Sequence, residues 1–446
     1  MEQQKLSLKD TFITGFALFA MFLGAGNLIF PPYIGIQAGS HYYWALLGFM
    51  FTGIAMPLLG LISTAKAGGS LQELSGCVSK RFATIFNILI LLAIGPLLAI
   101  PRTAATAYEV GLIPIFGELN WGMWGNFSIS RICISFLYFA INLIFVLKPS
   151  KVIEAIGKYF TPVLLTLLLW LIVKGIFFPI GNPGIPKVPS SFTMGFKEGY
   201  QTMDALASMA FAGIAVESIR RKLTSEKAAR RATMMSSIIA AMGLFIVYGG
   251  FIYLGATGSI VFSDIARTEA TVKLVRAIGN EAGKIALSIS MCVACLTTSI
   301  GLITTISDFF SELFQEKLSY KTVVYVTVGS SFFISIFGVN TIIRFAVPLL
   351  ETLYPAAIVI ILLNLFRERI QSRSIYRGAV VGALVTGVFY GIAAVNPELS
   401  IIQKGLYQLP LGKAGFFWVI TAVIGALLWR VTDVRKKDVR MANQTS

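Results

Sequence analysis

Gly24-Ala25-Gly26-Asn27-Leu28-Ile29-Phe30-Pro31-Pro32 lies inside an apolar run that covers residues 11–36. As a helix, a run of that length crosses the ~30 Å hydrocarbon core of a bilayer. Its centre nevertheless holds two glycines, an asparagine and a double proline. Pro31 lacks an N–H and its ring crowds the carbonyl of Asn27, while the glycines accept non-helical dihedrals. The stretch predicts a helix broken near residues 23–26. Such backbone persists at membrane depth only where it lines a cavity or is buried in protein. There the N-terminus of the second half-helix attracts a carboxylate, and freed carbonyls of the first half can hold a cation. The other reading of the same residues is a kinked helix whose glycines serve close packing. The Gly-x-Gly is no dinucleotide fingerprint, because Ile29 stands where a third glycine belongs and no strand precedes it.

The rest of the chain has the same solvent. Of 446 residues, 56% are hydrophobic and only 13% charged, against roughly 25% charged in soluble domains. Apolar runs of span length recur throughout, without the period-2 alternation of barrel strands, so the fold class is an all-α membrane protein. Helices are expected near 11–36, 41–65, 82–110, 131–147, 150–177, 195–219, 230–257, 283–314, 320–338, 342–366, 376–395 and 414–432, about 12 in all. No span is left over for a soluble catalytic domain, and the first run has no signal-peptide cleavage pattern. The net charge of +16 sits in short loops, which argues against nucleic acid and for the positive-inside rule. With both termini cytoplasmic, the inner segments hold Lys5, Lys9, Lys66, Lys80, Arg81, Lys148, Lys151, Arg220, Arg221, Lys222, Lys227, Arg230 and Arg231. Lys317, Lys321, Arg367, Arg369, Arg373, Arg377 and the basic tail continue the series, whereas 37–40, 111–130 and 339–341 hold no basic residue. The expected location is a bacterial inner membrane. Cys292 and Cys295 form a C-x-x-C without a second ligand pair, which suits helix packing better than metal or redox use.

The organisation expected is a first five-helix repeat over 1–177, a second, inverted one over 178–366, and two peripheral helices with the basic tail over 367–446. Five helices per repeat reverse the second half relative to the first. Outside the spans, residues 264–280 carry Ala270, Leu274 and Ile278 at i, i+4, i+8 and end at Gly279, which reads as an amphipathic helix on the outer face.

An inverted repeat also predicts a break in the sixth helix, within Asp204-Ala205-Leu206-Ala207-Ser208-Met209-Ala210-Phe211-Ala212-Gly213. Small residues dominate there, but no proline enforces it. Asp204 in an apolar span is a functional candidate, for proton coupling among other roles, or a carboxylate solvated at the outer mouth. In the eighth helix, Thr297 and Thr298 offer the hydroxyl oxygens that hard cations prefer, or simply bond back to the i−4 carbonyl. Arg102 and Glu109 lie seven apart on one face of the third helix. They form part of an outer gate, or snorkel to the interface.

Gly24 to Pro32 as quoted, with Gly95-Pro96-Leu97-Leu98-Ala99-Ile100-Pro101-Arg102-Thr103 downstream, resembles the bacterial branched-chain amino acid carriers of the BrnQ type across almost the whole chain. The resemblance implies import of leucine, isoleucine and valine with sodium, sometimes protons, on a LeuT-like fold with helices 1 and 6 broken around the substrate. Gly24-x-Gly26-Asn27 followed by Pro31, and Leu296-Thr297-Thr298-Ser299, are similar to motifs of the neurotransmitter:sodium symporters. By that similarity, the carbonyls of Ala20 and Leu23 and the hydroxyls of Thr297 and Thr298 hold one sodium ion. Gly24, Ala25 and Gly26, with Asn27, take the substrate carboxylate, and Ser208, Met209, Ala210 and Phe211 line the amine and side-chain pocket. Phe30 stands where those symporters carry an outer-gate arginine, and Phe22 is a bulky neighbour of their second sodium site, so one ion is expected. The co-transported sodium is the only cofactor expected. The amino acid and the lipid bilayer are the expected partners, and the sequence does not report an oligomeric state.

Overall fold

The computed structural model describes residues 6–119, 121–125, 127–147, 156–223, 225–262, 265–315, 317–370, 372–395, 397–412 and 415–442. Among these the only strands are a two-residue antiparallel pair, Met123–Trp124 with Phe127–Ser128; the rest of the regular structure is helical. Eight helical stretches are long and apolar enough to cross a bilayer, and a bent pair makes a ninth.

The chain opens with α1 (Leu8–Phe22) and α2 (Ala25–Ala38), separated by two residues outside helical geometry. Gly39, at φ +50°, turns the chain into α3 (Tyr42–Met50), which runs through a π turn into α4 (Met56–Ala67). The helix α5 (Leu71–Ser75) precedes α6 (Lys80–Leu92). A second interruption separates α6 from α7 (Ala99–Thr106), and α8 (Ile113–Phe116) ends that run. Then come α9 (Ile129–Val146) and α10 (Thr161–Phe177). The sixth expected span is α11 (Ser191–Gln201) and α12 (Asp204–Arg220), bent by 43°. Next are α13 (Glu226–Thr257) and α14 (Arg267–Leu313). α15 (Tyr320–Ser335), α16 (Val339–Leu365), α17 (Arg373–Val395), α18 (Ser400–Gln408) and α19 (Phe417–Ala442) complete the order. Serines set several starts: Ser7, Ser190, Ser225 and Ser319 each accept a backbone N–H three residues on, the capping that satisfies an orphan donor.

Asn280, at φ 52°, kinks α14, so residues 267–279 form a separate arm. Its Ala270, Leu274 and Ile278 are all buried, the face the spacing predicted. Thr271 on this arm donates to Leu28 O of α2 at 3.2 Å.

Glycine crossings tie the first, second, sixth and seventh spans together. A Cβ on Gly35 of α2 would sit 2.0 Å from Ile252 O of α13, and one on Gly255 would sit 2.1 Å from Pro32 O. Gly48 of α3 and Gly195 of α11 meet in the same way, 2.1 Å from Phe192 O and 2.0 Å from Ala45 O. Helix pairs in lipid associate through such close backbone approach. The two pairs meet in turn, α13 packing on α4 and α11 on α2, so the four spans gather around the interruptions.

Candidate functional site

The first interruption lies where the sequence placed it. Leu23 (φ −72°, ψ 72°) and Gly24 (φ −94°, ψ −164°) leave helical geometry, and Asn27 N turns back to Gly24 O. Helix ends leave backbone groups without intrahelical partners, so carbonyls at the end of α1 and N–H groups at the start of α2 face outward. The α1 carbonyls meet the eighth span. Thr297 Oγ1 lies 2.8 Å from Ala20 O and 3.0 Å from Ala294 O, and Thr298 Oγ1 lies 2.8 Å from Met21 O and 3.5 Å from Ala20 O. A Cβ on Gly24 would sit 3.0 Å from Thr298 Oγ1, so only glycine lets the helix break approach this hydroxyl freely. Ala20, Thr297 and Thr298 are thus brought together, across a separation of 277 residues for Thr297 and Ala20, and the second carbonyl these hydroxyls meet is that of Met21 rather than the expected Leu23.

The sixth span breaks earlier than the sequence reading placed it. The interruption falls at Thr202 and Met203, with Met203 in the left-handed region at φ 66°. Asp204 to Arg220 is continuous helix, so Asp204 opens the second half-helix. Asp204 is 3% exposed, not solvated at an outer mouth. Its Oδ2 accepts from Asn27 Nδ2 at 2.5 Å and from the Tyr248 hydroxyl at 3.2 Å, and Asn27 Nδ2 also contacts that hydroxyl.

A third interruption was not foreseen. Gly95 and Leu98 are non-helical (ψ −121° and φ −129°), and the helix restarts with Arg102 N on Leu98 O. The Gly95-Pro96 pair was the available signal, since proline removes a ladder donor and glycine permits the departure. This restart turns Arg102, 3% exposed, toward the other two breaks. Its Nη1 donates to Gln201 O, the last residue of α11, at 2.7 Å, and its guanidinium lies 5.6 Å from the Phe30 ring centre.

A cavity opens where the three breaks meet. Its lining includes the interrupted backbone at Gly24 and Ala25 and the polar residues Asn27, Arg102, Thr103, Asp204 and Thr298. Met21, Phe22, Ile94, Ala99, Ala207, Phe211 and Leu302 supply apolar lining. Phe22 and Phe211 touch, with ring centres 5.5 Å apart. The remaining candidates lie off this surface. Gly26 packs beneath Phe30 and Arg102; Ser208 donates to Ala205 O and faces Gly60 of α4; Met209 and Ala210 are buried in the helix packing.

Arg102 and Glu109 do not share the expected face. Residues 107–112 form a π turn, and the wider turn carries Glu109 off the Arg102 face. Glu109 instead pairs with Arg131 at 3.1 Å and accepts from Val339 N. Arg267 of the 267–279 arm binds Glu198 of α11 at 2.7 Å and lies over Tyr33 of α2, 4.7 Å from its ring centre. Sequence reading missed this tie, because Arg267 lies outside every span and nothing local names its partner. Lys222 binds Asp10 at 2.6 Å. Hydrogen bonds from Lys222 and Ser7 hold the Asp10 carboxyl below its ordinary value.

Comparison with known proteins adds the lineage. The family model described as branched-chain amino acid transport protein matches residues 7–436. The chain belongs to this family. It is 37% identical to the branched-chain amino acid permease BraB of Bacillus subtilis, over 100% of both chains. It is 35% identical to the branched-chain amino acid transport system 2 carrier protein of Pseudomonas aeruginosa, covering 95% of this chain and 96% of that one. Among solved structures, a Na+-coupled sialic acid symporter in a substrate-bound outward-open state matches with a TM-score of 0.61 at 14% identity, over 94% of this chain and 89% of that one. The nucleobase-cation-symport-1 family transporter Mhp1 matches with a TM-score of 0.57 at 15% identity, over 95% and 92%. The fold is LeuT-like, and this branched-chain amino acid transport family member is a multi-pass membrane transporter, not an enzyme.

Proposed function

We propose that the protein imports leucine, isoleucine and valine together with sodium by alternating access. The observation that carries this reading is the contact of the freed α1 carbonyls with Thr297 and Thr298, beside a cavity lined by both polar and apolar residues. Sodium takes the oxygens of Ala20, Leu23, Thr297 and Thr298, a hard-cation donor set. The amino acid lies next to it, its backbone at the interrupted ends near Gly24, Ala25 and Asn27 and its side chain against Phe22, Ile94 and Phe211. An apolar wall discriminates one methylene by only ~1–3 kcal/mol, so all three branched aliphatic side chains are accepted. Twelve spans in two inverted five-helix repeats, 1–177 and 178–366, followed by two peripheral helices, put both termini in the cytoplasm. The glycine-tied unit of spans 1, 2, 6 and 7 rocks against the others.

Uptake of labelled leucine into proteoliposomes tests the proposal. An inward sodium gradient drives accumulation above the equilibrium level, and absence of sodium-driven accumulation refutes the coupling. The buried Asp204 supports a second reading, coupling to protons. That reading holds if uptake continues without sodium and collapses with a protonophore.

A further inference from the structure

We propose that Arg102 and Asp204 are the two poles of a zwitterion site, with Arg102 holding the substrate carboxylate and Asp204 the ammonium. The inference rests on the reading of the cavity as the amino-acid site, and replaces recognition by broken-helix backbone alone with recognition by two charged side chains.

Both residues are 3% exposed and both line the one cavity at the junction of the breaks. They are near enough to feel each other's charge, yet their side-chain hydrogen bonds go elsewhere, Arg102 to Gln201 O and Asp204 to Asn27 and Tyr248. Each also has unused hydrogen-bonding capacity. Arg102 engages one acceptor among the described residues, Gln201 O, and its Nε is buried without any partner. Its Nη2 lies over Gly26, where a Cβ would approach to 2.9 Å; the missing side chain leaves the guanidinium room beside the start of α2. Asp204 receives both side-chain donors, Asn27 and Tyr248, on the same oxygen, Oδ2. The nearby Thr202 hydroxyl lies 2.8 Å from Gly199 O and accepts from the Asp204 N–H at 3.4 Å.

A buried charge without adequate partners is costly, and two such charges kept apart on one cavity form a fixed dipole. A guest that carries its own anion and cation a few ångströms apart satisfies both at once. The helix ends reinforce the polarity. The start of α2 adds its positive end beside Arg102 for a carboxylate, and the carbonyls at the end of α1 add negative potential for an ammonium. A guest lacking either charge leaves one pole buried and unpaired, the strongest form of rejection such a site has.

The test uses the full chain, purified in detergent with sodium, and competition against labelled leucine. The competitors are 4-methylpentanoate, which is leucine without its ammonium, and 3-methylbutylamine, which is leucine without its carboxylate. Wild-type protein prefers leucine strongly over both. Asp204→Asn weakens leucine about 10–100-fold, the loss of a charge-assisted contact. It leaves 4-methylpentanoate unchanged or tighter, so that preference collapses while the preference over 3-methylbutylamine persists. Arg102→Gln gives the mirror image. A merely structural role lowers affinity for all three ligands in parallel, and parallel loss or no change in either variant overturns the proposal. If a neutral variant does not fold, Arg102→Lys and Asp204→Glu carry the test. They keep the preference for leucine over both analogues, and equal affinities overturn the assignment. Wild-type protein that binds no leucine refutes the functional reading itself. Wild-type protein that binds leucine without the crossed pattern refutes only the two-pole site.

Discussion

Replacing Thr298 by valine removes one oxygen at the meeting point of the first and eighth spans while nearly conserving volume. Thr298 Oγ1 lies 2.8 Å from Met21 O and 3.5 Å from Ala20 O. If the hydroxyl only props the helix break, its loss costs one neutral hydrogen bond, about 0.5–1.5 kcal/mol of stability, and the sodium midpoint of transport stays where it was. If it ligates sodium, the lost contact is to a full charge, about 1.5–3 kcal/mol, which raises the half-saturating sodium concentration about 10- to 150-fold. Leucine uptake into proteoliposomes across a sodium titration separates the two cases. Thr305→Val is the control: its hydroxyl bonds back to Gly301 O within the same helix at 2.9 Å, so its sodium midpoint matches wild type. A Thr298→Val protein that transports leucine with the wild-type sodium midpoint refutes the assignment of this residue.

Two further expectations follow from the packing. Gly26→Ala puts a Cβ 2.8 Å from Phe30 Cε2 and 2.9 Å from Arg102 Nη2, an overpacking of about 1–3 kcal/mol. Half-saturating leucine rises about 5- to 150-fold while the sodium midpoint moves little, and unaltered leucine kinetics refute the placement of the guanidinium. Arg267→Gln cuts the tie between the 267–279 arm and Glu198. In a background without the native cysteines, Thr202→Cys then reacts about two- to fivefold faster with an impermeant thiol reagent added outside; an unchanged rate shows that this tie does not close the outer side.

The site was partly legible because some of its causes are local. The first break is written into neighbouring residues: Gly24 and Gly26 permit it and Pro31 withholds a donor. Asp204 and Arg102 stood out for being charged in apolar runs, and the structure puts both at the cavity. The sixth-span break was expected several residues late, because Met203 has no proline or glycine to announce a left-handed residue. Ser208, read as pocket lining, points to Gly60 of α4, and no spacing rule says which side of a wholly apolar helix faces a cavity. Glu109 was placed on the Arg102 face by helical periodicity, and one π turn was enough to separate them.

From the sequence alone came the solvent of the chain, its all-helical character and the interruption of the first span. All three depend on composition or on residues within a turn of each other. Tertiary structure alone decided the partners. Asn27 reaches Asp204 across 177 residues, and Arg102 reaches Gln201 across 99. The physical reason is that backbone preference is a sum of short-range terms. The pairing of buried polar groups is instead set by which segments the packing brings within about 3 Å, a distance that sequence separation does not encode.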